Sequence, residues 1–249
     1  AAGRAADNAA EVANAQRLRG MTALAAGDGA AAHEALEAAL AIDRESFNKI
    51  LLEGQGLPGG VMLPAPEGTW GLSTEQMSKL LGYGDIEKNR TEARKIMEAQ
   101  GYSAAKMLKA KVSTRNIPVY RDPAVILIDQ LKAIYIDAEL EVVDSTIWHA
   151  KAARKDYQVG LNLTGSGVDD PDVNYVENFT CKSERNYTQY CNADVEKLIF
   201  AQSKETDVAK RRQLVFEIEQ KLSEDVARPI IFHGRNATCW RPHVKGIVL

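Results

Sequence analysis

Apolar and polar residues alternate along two stretches near the middle of the chain, LKAKVST at 108–114 and IDAELEVV at 136–143. This period of two is typical of β-strands. A helix is predicted between them from Pro123 to Ala133, a second helix from Ser145 to Ala153, and a third strand over 157–163. The order strand, helix, strand, helix, strand predicts an α/β fold with a mainly parallel sheet and crossover helices.

The segments around this unit differ from it in amino-acid composition and in the pattern of apolar residues. Residues 1–42 are rich in alanine, and Gly27 and Gly29 flank Asp28, which predicts a helical hairpin. We therefore divide the chain into a hairpin, 1–42, and an α/β lobe, 43–249. Within the lobe, further helices are predicted at 43–53, 88–100, 194–202 and 207–224, followed by a short apolar strand, ARPIIFH, at 227–233.

Composition narrows the classes of protein to consider. Hydrophobic residues make up 45% of the 249 positions, enough for a sizeable core. The formal net charge of -3 shows no basic excess, so a nucleic-acid partner is not expected. No apolar stretch approaches the roughly 20 residues that a membrane span requires. No signal peptide precedes Ala1, but a mature secreted chain would have lost one.

Three cysteines are present, and two of them bracket a polar segment. Cys181 and Cys191 flank KSERNYTQY, a surface loop that a disulfide could close; the alternative is a pair of small buried thiols. The four histidines lie far apart, and none has ligand spacing with a cysteine. We expect no metal site and no cofactor.

Several segments together resemble the extracellular solute-binding proteins that feed peptide, nickel and opine ABC importers. They are EALEAALAIDRESFNKILLEGQGLP, NRTEARKIMEAQGY, the alternating strands, the loop GVDDPD and the closing block DVEKLIFAQSKETDVAKRRQLVFEIEQKLSEDVARPIIF. The resemblance runs from about His33 to the C-terminus. It implies the C-terminal lobe of a periplasmic binding protein-like fold.

The resemblance also implies a function. The chain would bind a small solute, such as a peptide or an opine, outside the cytoplasm and deliver it to an ABC permease in the membrane. Such proteins have two lobes, so an N-terminal lobe would be missing here. An alternative is a non-catalytic interaction module whose helical hairpin packs on a partner.

The loop after the third predicted strand is the candidate binding site, because open parallel sheets bind ligands at the carboxyl ends of strands. It carries Thr164, Ser166, Asp169 and Asp170. The alternative is that Asp170, with the proline and aspartate that follow it, only forms a turn. Peptide-binding relatives often have an aspartate for the peptide's amino terminus where this chain has Gly167, so a free peptide would need Asp169 or Asp170 instead.

Wall residues of a solute pocket combine aromatic faces with a few polar groups. The candidates are Trp148, Tyr157, Tyr175, Arg185 and Tyr187, with core packing as the alternative for the aromatics and a solvated loop position for the arginine. The basic run at 210–212 is predicted to be a solvated helix face. No nucleophile elbow, HExxH motif or phosphate-binding loop occurs, so we do not expect an enzyme.

Overall fold

The computed structural model describes residues 39–165 and 168–234, together with His243 and Lys245. The predicted hairpin therefore lies outside the described residues except for its last positions, of which 39–41 are helical. In chain order, the elements are α1 (Arg44–Leu52), α2 (Thr74–Met77), α3 (Ile86–Ala99), β1 (Leu108–Arg115), α4 (Pro118–Lys132), β2 (Ile136–Val143), α5 (Ser145–Ala153), β3 (Val159–Gly160), α6 (Pro171–Phe179), α7 (Ala193–Lys204) and α8 (Val208–Glu224).

The three strands form one parallel sheet in the order β2-β1-β3, so the α/β fold with a parallel sheet and crossover helices is confirmed. β1 and β2 pair along their full length, from Leu108 opposite Ile136 to Arg115 opposite Val143. α4 connects β1 to β2, and α5 connects β2 to β3. All three carboxyl ends therefore lie at the same edge of the sheet.

β3 is shorter than the predicted strand 157–163, because side chains replace backbone partners at both of its ends. Before the strand, the Gln158 side-chain oxygen accepts the bond from the Lys111 amide at 2.8 Å. After it, the Leu161 carbonyl accepts from the Thr114 hydroxyl at 2.9 Å. The backbone ladder consequently covers little more than Val159–Gly160.

The crossover helix α4 begins earlier than predicted, at Pro118. Proline suits the first position of a helix, because the N–H that it lacks would have no partner there. Pro123, the predicted start, lies inside the helix and is buried. The buried residues Ala124, Leu127 and Leu131 recur at helical spacing and pack against the sheet.

Two main clusters make up the hydrophobic core of the described chain. The first joins the sheet to α1, α3 and α4, and includes Leu40, Ala41 and Ile42 at the end of the predicted hairpin. The second lies among α6, α7 and α8 and takes in Met62 and Trp70 from the irregular stretch 57–71, which we call the crossing segment. The crossing segment thus supplies core residues without regular secondary structure.

The predicted last strand at 227–233 is wrong. The structure has one isolated antiparallel bridge there, between Leu57 and His233, whose reciprocal N···O distances are 2.9 and 3.0 Å. Pro229 has no N–H to donate to a ladder, and the Ile230 carbonyl accepts from the Arg44 side chain at 2.8 Å instead. No described helix is both long and apolar enough to cross a membrane.

We predict that Leu131→Ala lowers the free energy of unfolding by about 2–5 kcal/mol, because it leaves a cavity between α4 and the sheet. Leu131 is fully buried. Val125→Ala on the same helix is the matched control, since Val125 is 52% exposed, and it should cost less than about 0.5 kcal/mol. Urea denaturation of both variants measures the difference, and equal losses would contradict the packing described.

Candidate functional site

The carboxyl edge of the sheet is the candidate ligand face, and it is open to solvent. Residues 161–170 follow β3 and form what we call the β3 loop; Ser166 and Gly167 lie outside the described residues. Exposed apolar side chains follow each strand at this edge: Val119 after β1, Ile147 after β2 and Leu163 after β3. The face therefore offers apolar surface beside the polar side chains of the β3 loop.

Asp169 attaches the β3 loop to the crossing segment. Its carboxylate accepts a hydrogen bond from the Thr69 amide at 2.6 Å, and its backbone carbonyl accepts one from the Trp70 indole N–H at 3.0 Å. Asp169 is exposed, so one carboxylate oxygen remains accessible at the ligand face. Both a structural and a ligand-facing role are compatible with this geometry.

Asp170 is held by a bidentate ion pair with Arg211 of α8. The two N···O distances are 2.8 and 3.1 Å, and the same carboxylate caps α6 by accepting from the Asp172 amide at 2.9 Å. Burial alone would raise the pKa of Asp170, but the hydrogen bonds from Arg211 and Asp172 and the charge of Arg211 lower it overall. Asp170 is thus the N-cap of α6, where the alternative expected only a turn.

The prediction of a solvated face at 210–212 is wrong for Arg211. Its side chain is 16% exposed, its guanidinium lies 4.8 Å from the centre of the Trp70 ring, and its Nε donates to the Gln202 side chain at 3.0 Å. Arg212 donates to the Thr69 carbonyl at 3.2 Å. Both arginines therefore hold the crossing segment and the β3 loop against α8.

Thr164 lies near the middle of the β3 loop and is paired with Arg228. The Arg228 guanidinium donates to the Thr164 hydroxyl through Nη2 and to the Asn178 side-chain oxygen through Nη1, the latter at 2.8 Å. This arrangement joins the β3 loop to α6 and to the segment that follows α8. Thr164 itself is exposed.

The structure places two of the four candidate wall aromatics, Trp148 and Tyr175, in the core, while Tyr157 and Tyr187 are partly buried beside Trp148. Trp148 is 1% exposed and packs with Val143, Ala152 and Tyr157, while its indole N–H donates to Asn162 at 3.3 Å. Tyr175 is fully buried between α6 and α8. Neither ring presents a face to the carboxyl edge, in agreement with the core-packing alternative.

Arg185 and the two cysteines lie on the loop between α6 and α7. Arg185 is solvated and forms a 3.2 Å ion pair with Glu177, so it is not directed at the β3 loop. Cys181 and Cys191 are joined in a disulfide with their α-carbons 4.6 Å apart, within the reach that such a bond allows. Among the described residues, no three His, Cys, Asp or Glu side chains converge as a metal site requires.

Glu219 of α8 is a buried carboxylate that holds the other end of the crossing segment. It is 2% exposed, and it accepts hydrogen bonds from the Val61 amide at 2.9 Å and the Met62 amide at 2.7 Å. Burial raises its pKa to about 7, although the two amides and the Tyr175 hydroxyl oppose that rise. A β-carbon at Gly60 would lie 2.3 Å from this carboxylate, so any other residue there would displace the Glu219 side chain.

Sequence reasoning missed Arg211 and Glu219, although a signal was present. Both lie on the face of α8 that Val215, Ile218 and Leu222 bury, so charged residues interrupt an apolar stripe. The sequence signals for Trp70 and Arg228 were weaker: Trp70 is a tryptophan among glycines, and Arg228 directly precedes Pro229. The partners of all four come from distant parts of the chain.

A protein-family comparison matches residues 37–186 to the family described as bacterial extracellular solute-binding proteins, family 5 Middle. Comparison with curated protein sequences finds no match.

Solved structures of similar fold include OppA of Haemophilus influenzae in complex with RPPGFSPFR, with a TM-score of 0.69 and 19% identity over 81% of this chain. The murein tripeptide binding protein MppA of Escherichia coli matches with a TM-score of 0.69 and 18% identity over 81% of this chain. NikA of Staphylococcus aureus in complex with Ni(L-His)2 matches with a TM-score of 0.64 and 20% identity over 82% of this chain. The aligned part of this chain spans 39%, 39% and 42% of those chains, respectively. At these identities the likeness concerns the fold.

We predict that Asp170→Ala destabilises the chain by about 2 kcal/mol, because it removes both a helix cap and the partner of a half-buried arginine. Asp144→Ala is the matched control: it removes the aspartate cap of α5, which has no ion pair among the described residues, and should cost about 1 kcal/mol. Urea denaturation near pH 7 measures both.

The amount by which Asp170→Ala destabilises the chain more than Asp144→Ala, which we call the excess, should depend on pH in a defined direction. The folded-state pKa of Asp170 is lowered, so the ion pair contributes fully above the pKa of an unfolded aspartate, about 3.9. Its contribution is lost as the pH falls through the lower folded value. An excess that grows on acidification would contradict the assigned pair.

Glu219 should make stability fall as the pH rises. Its folded-state pKa is about 7, above that of an unfolded glutamate, so its contribution is full at acidic pH and declines between about pH 4.5 and 7. Glu219→Gln cannot ionise, so the wild-type stability measured relative to this variant should drop by roughly 2–4 kcal/mol over that range. The exposed Glu224→Gln, on the same helix, should show no such trend, and a flat difference for Glu219→Gln would refute the burial effect.

Proposed function

Since this chain belongs to the bacterial extracellular solute-binding proteins of family 5, we propose that it forms one wall of a solute-binding site. The wall is the carboxyl edge of the sheet, and the β3 loop is its polar part. The role is to bind a small solute without converting it and to deliver it to an ABC permease outside the cytoplasm.

The observation that carries this proposal is that the described residues of the β3 loop, on either side of 166–167, present exposed side chains and yet are held by long-range contacts. Thr164 and Asp169 face solvent, while Asp169 bonds to the crossing segment and Asp170 to Arg211. A surface ordered in advance loses less conformational entropy when a ligand binds, which favours recognition. A loop that only connected β3 to α6 would not require three sets of long-range contacts.

The proposed site is one half of a clamp. Its polar side chains Thr164 and Asp169 are exposed, so this face is a shelf and not an enclosed pocket. Small solutes are held tightly when most of their surface is buried. The aligned part of the chain spans about 40% of the similar solute-binding structures, and a second lobe would supply the opposite wall.

The solute we propose is small and polar, such as a peptide. The similar H. influenzae OppA holds RPPGFSPFR, and the S. aureus NikA holds Ni(L-His)2, so the fold accommodates different solutes. In this chain the accessible carboxylate oxygen of Asp169 would receive a cationic group of the solute. Asp170 would act indirectly, because Arg211 already occupies its carboxylate.

We predict that the chain alone binds trialanine only with a millimolar dissociation constant, because one wall leaves much of the solute in water. Titration of the ¹⁵N-labelled chain should shift amide resonances of residues 161–165 and 168–170. Asp169→Ala should weaken binding roughly tenfold through loss of a charge-assisted bond.

Asp129→Ala provides the matched control, because Asp129 is exposed near the far end of α4, away from the carboxyl edge. It should leave the titration unchanged, and Asp170→Asn tests the indirect role with less loss of the helix cap. Micromolar binding by a monomer that is insensitive to Asp169→Ala and Asp170→Asn would mean that the solute site lies elsewhere.

A further inference from the structure

Arg228 is a half-buried cation at the ligand face that lacks an acidic partner. Its guanidinium donates only to neutral oxygens, the Thr164 hydroxyl and the Asn178 side-chain carbonyl. Within the described part of the chain it forms no ion pair with any carboxylate. By contrast, Arg211, also held close to the β3 loop, has a bidentate aspartate.

A second cation of the same character, Lys155, lies on the segment between α5 and β3. Lys155 donates to the Asn186 carbonyl at 2.5 Å and lies 5.5 Å from the centre of the Tyr187 ring, again without a carboxylate among the described residues. Its chain neighbour Asp156 pairs with Lys151 instead, at 3.6 Å. The phenols of Tyr157 and Tyr187 act on the charge of Arg228, so Tyr187 is a neighbour of both cations.

Electrostatics supports the view that both charges are unneutralised. Burial lowers the pKa of Arg228 and of Lys155; the phenols of Tyr157 and Tyr187 oppose that shift for Arg228, but no carboxylate does so for either cation. Removing a cation from water without a compensating anion is unfavourable. A bound anion would reverse that cost, so the site is suited to one.

Donor capacity remains for such an anion. A guanidinium has five N–H donors, and two of those of Arg228 are used, which leaves three. The Thr164 hydroxyl accepts from Arg228 through its oxygen and keeps its own O–H to donate. Because Thr164 is exposed, an anion can approach these donors from the carboxyl edge.

We infer that Arg228 and Thr164, with Lys155 nearby, form a binding site for a carboxylate group of the solute. This inference deepens the proposed function and rests on it for the identity of the carboxylate's carrier. With Asp169 at the other end of the β3 loop, the face would bind a solute that carries an anionic group and a cationic group at separate positions. The planar guanidinium fork matches the geometry of a carboxylate.

The test is titration of the ¹⁵N-labelled chain with sodium acetate, observing the arginine Nε–H resonances at constant ionic strength. We expect a saturable shift of the Arg228 resonance at millimolar acetate, and a shift at least threefold smaller with acetamide, the neutral analogue. The Arg185 resonance should move little, because Glu177 already pairs with it. Equal responses of the two arginines, or no saturation at Arg228, would overturn the inference.

Substitutions add a second measurement through the Thr164 amide resonance. Arg228→Gln should weaken acetate binding at least tenfold, and Lys155→Gln about twofold to threefold. Arg185→Gln, which changes net charge by the same amount, should leave it unchanged. If Arg228→Gln fails to fold by circular dichroism, Arg228→Lys keeps the charge without the fork, and undiminished acetate binding there would contradict recognition by the fork.

Acetate and trialanine separate this inference from the proposed function. Saturable acetate binding at Arg228 without any trialanine binding at the β3 loop would retain the anion site and refute the solute site. Trialanine binding that is unchanged when its carboxyl terminus is amidated, with no acetate response at Arg228, would do the reverse. Both results are read from the same folded chain.

Discussion

The ion pair between Arg211 and Asp170, stacked against Trp70, is the interaction on which the candidate site depends. It joins three segments that are remote in sequence: α8, the start of α6 and the crossing segment. A bidentate pair fixes orientation as well as distance, because the guanidinium is planar. The neighbouring bonds of Asp169 to Thr69 and Trp70 then hold the β3 loop where β3 ends.

Glu219 holds the same crossing segment two helical turns farther along α8. Its buried carboxylate bonds to two successive amides, which gives partners to backbone groups that no regular element would satisfy. The desolvation that raises its pKa is therefore linked to the ordering of an irregular segment. α8 thus orders the crossing segment, which in turn bonds to the β3 loop at the candidate ligand face.

Charge is distributed unevenly over this face, and the distribution bears on which solute it could bind. Asp170 and Arg211 neutralise each other, whereas Arg228 and Lys155 contact only neutral oxygens and an aromatic ring. Asp169 keeps an accessible oxygen of the opposite sign. An anion site and an acidic residue on one open shelf are suited to a zwitterionic solute, whose free energy of binding would also require burial by a second wall.

The sequence by itself determined the parallel α/β unit, because strand alternation and helical spacing are local consequences of which face each element buries. It also indicated Cys181 and Cys191 as candidates for a disulfide across a short loop, and the structure has that disulfide. Only the tertiary structure decided that Arg211 and Glu219 are buried, that Trp148 and Tyr175 are core residues and that 227–233 forms no strand. Except for Trp148, whose hydrogen-bond partner Asn162 is 14 residues away, those outcomes depend on partners 40 to almost 190 residues away, such as Arg44 for Ile230. No local pattern encodes the distance between such partners.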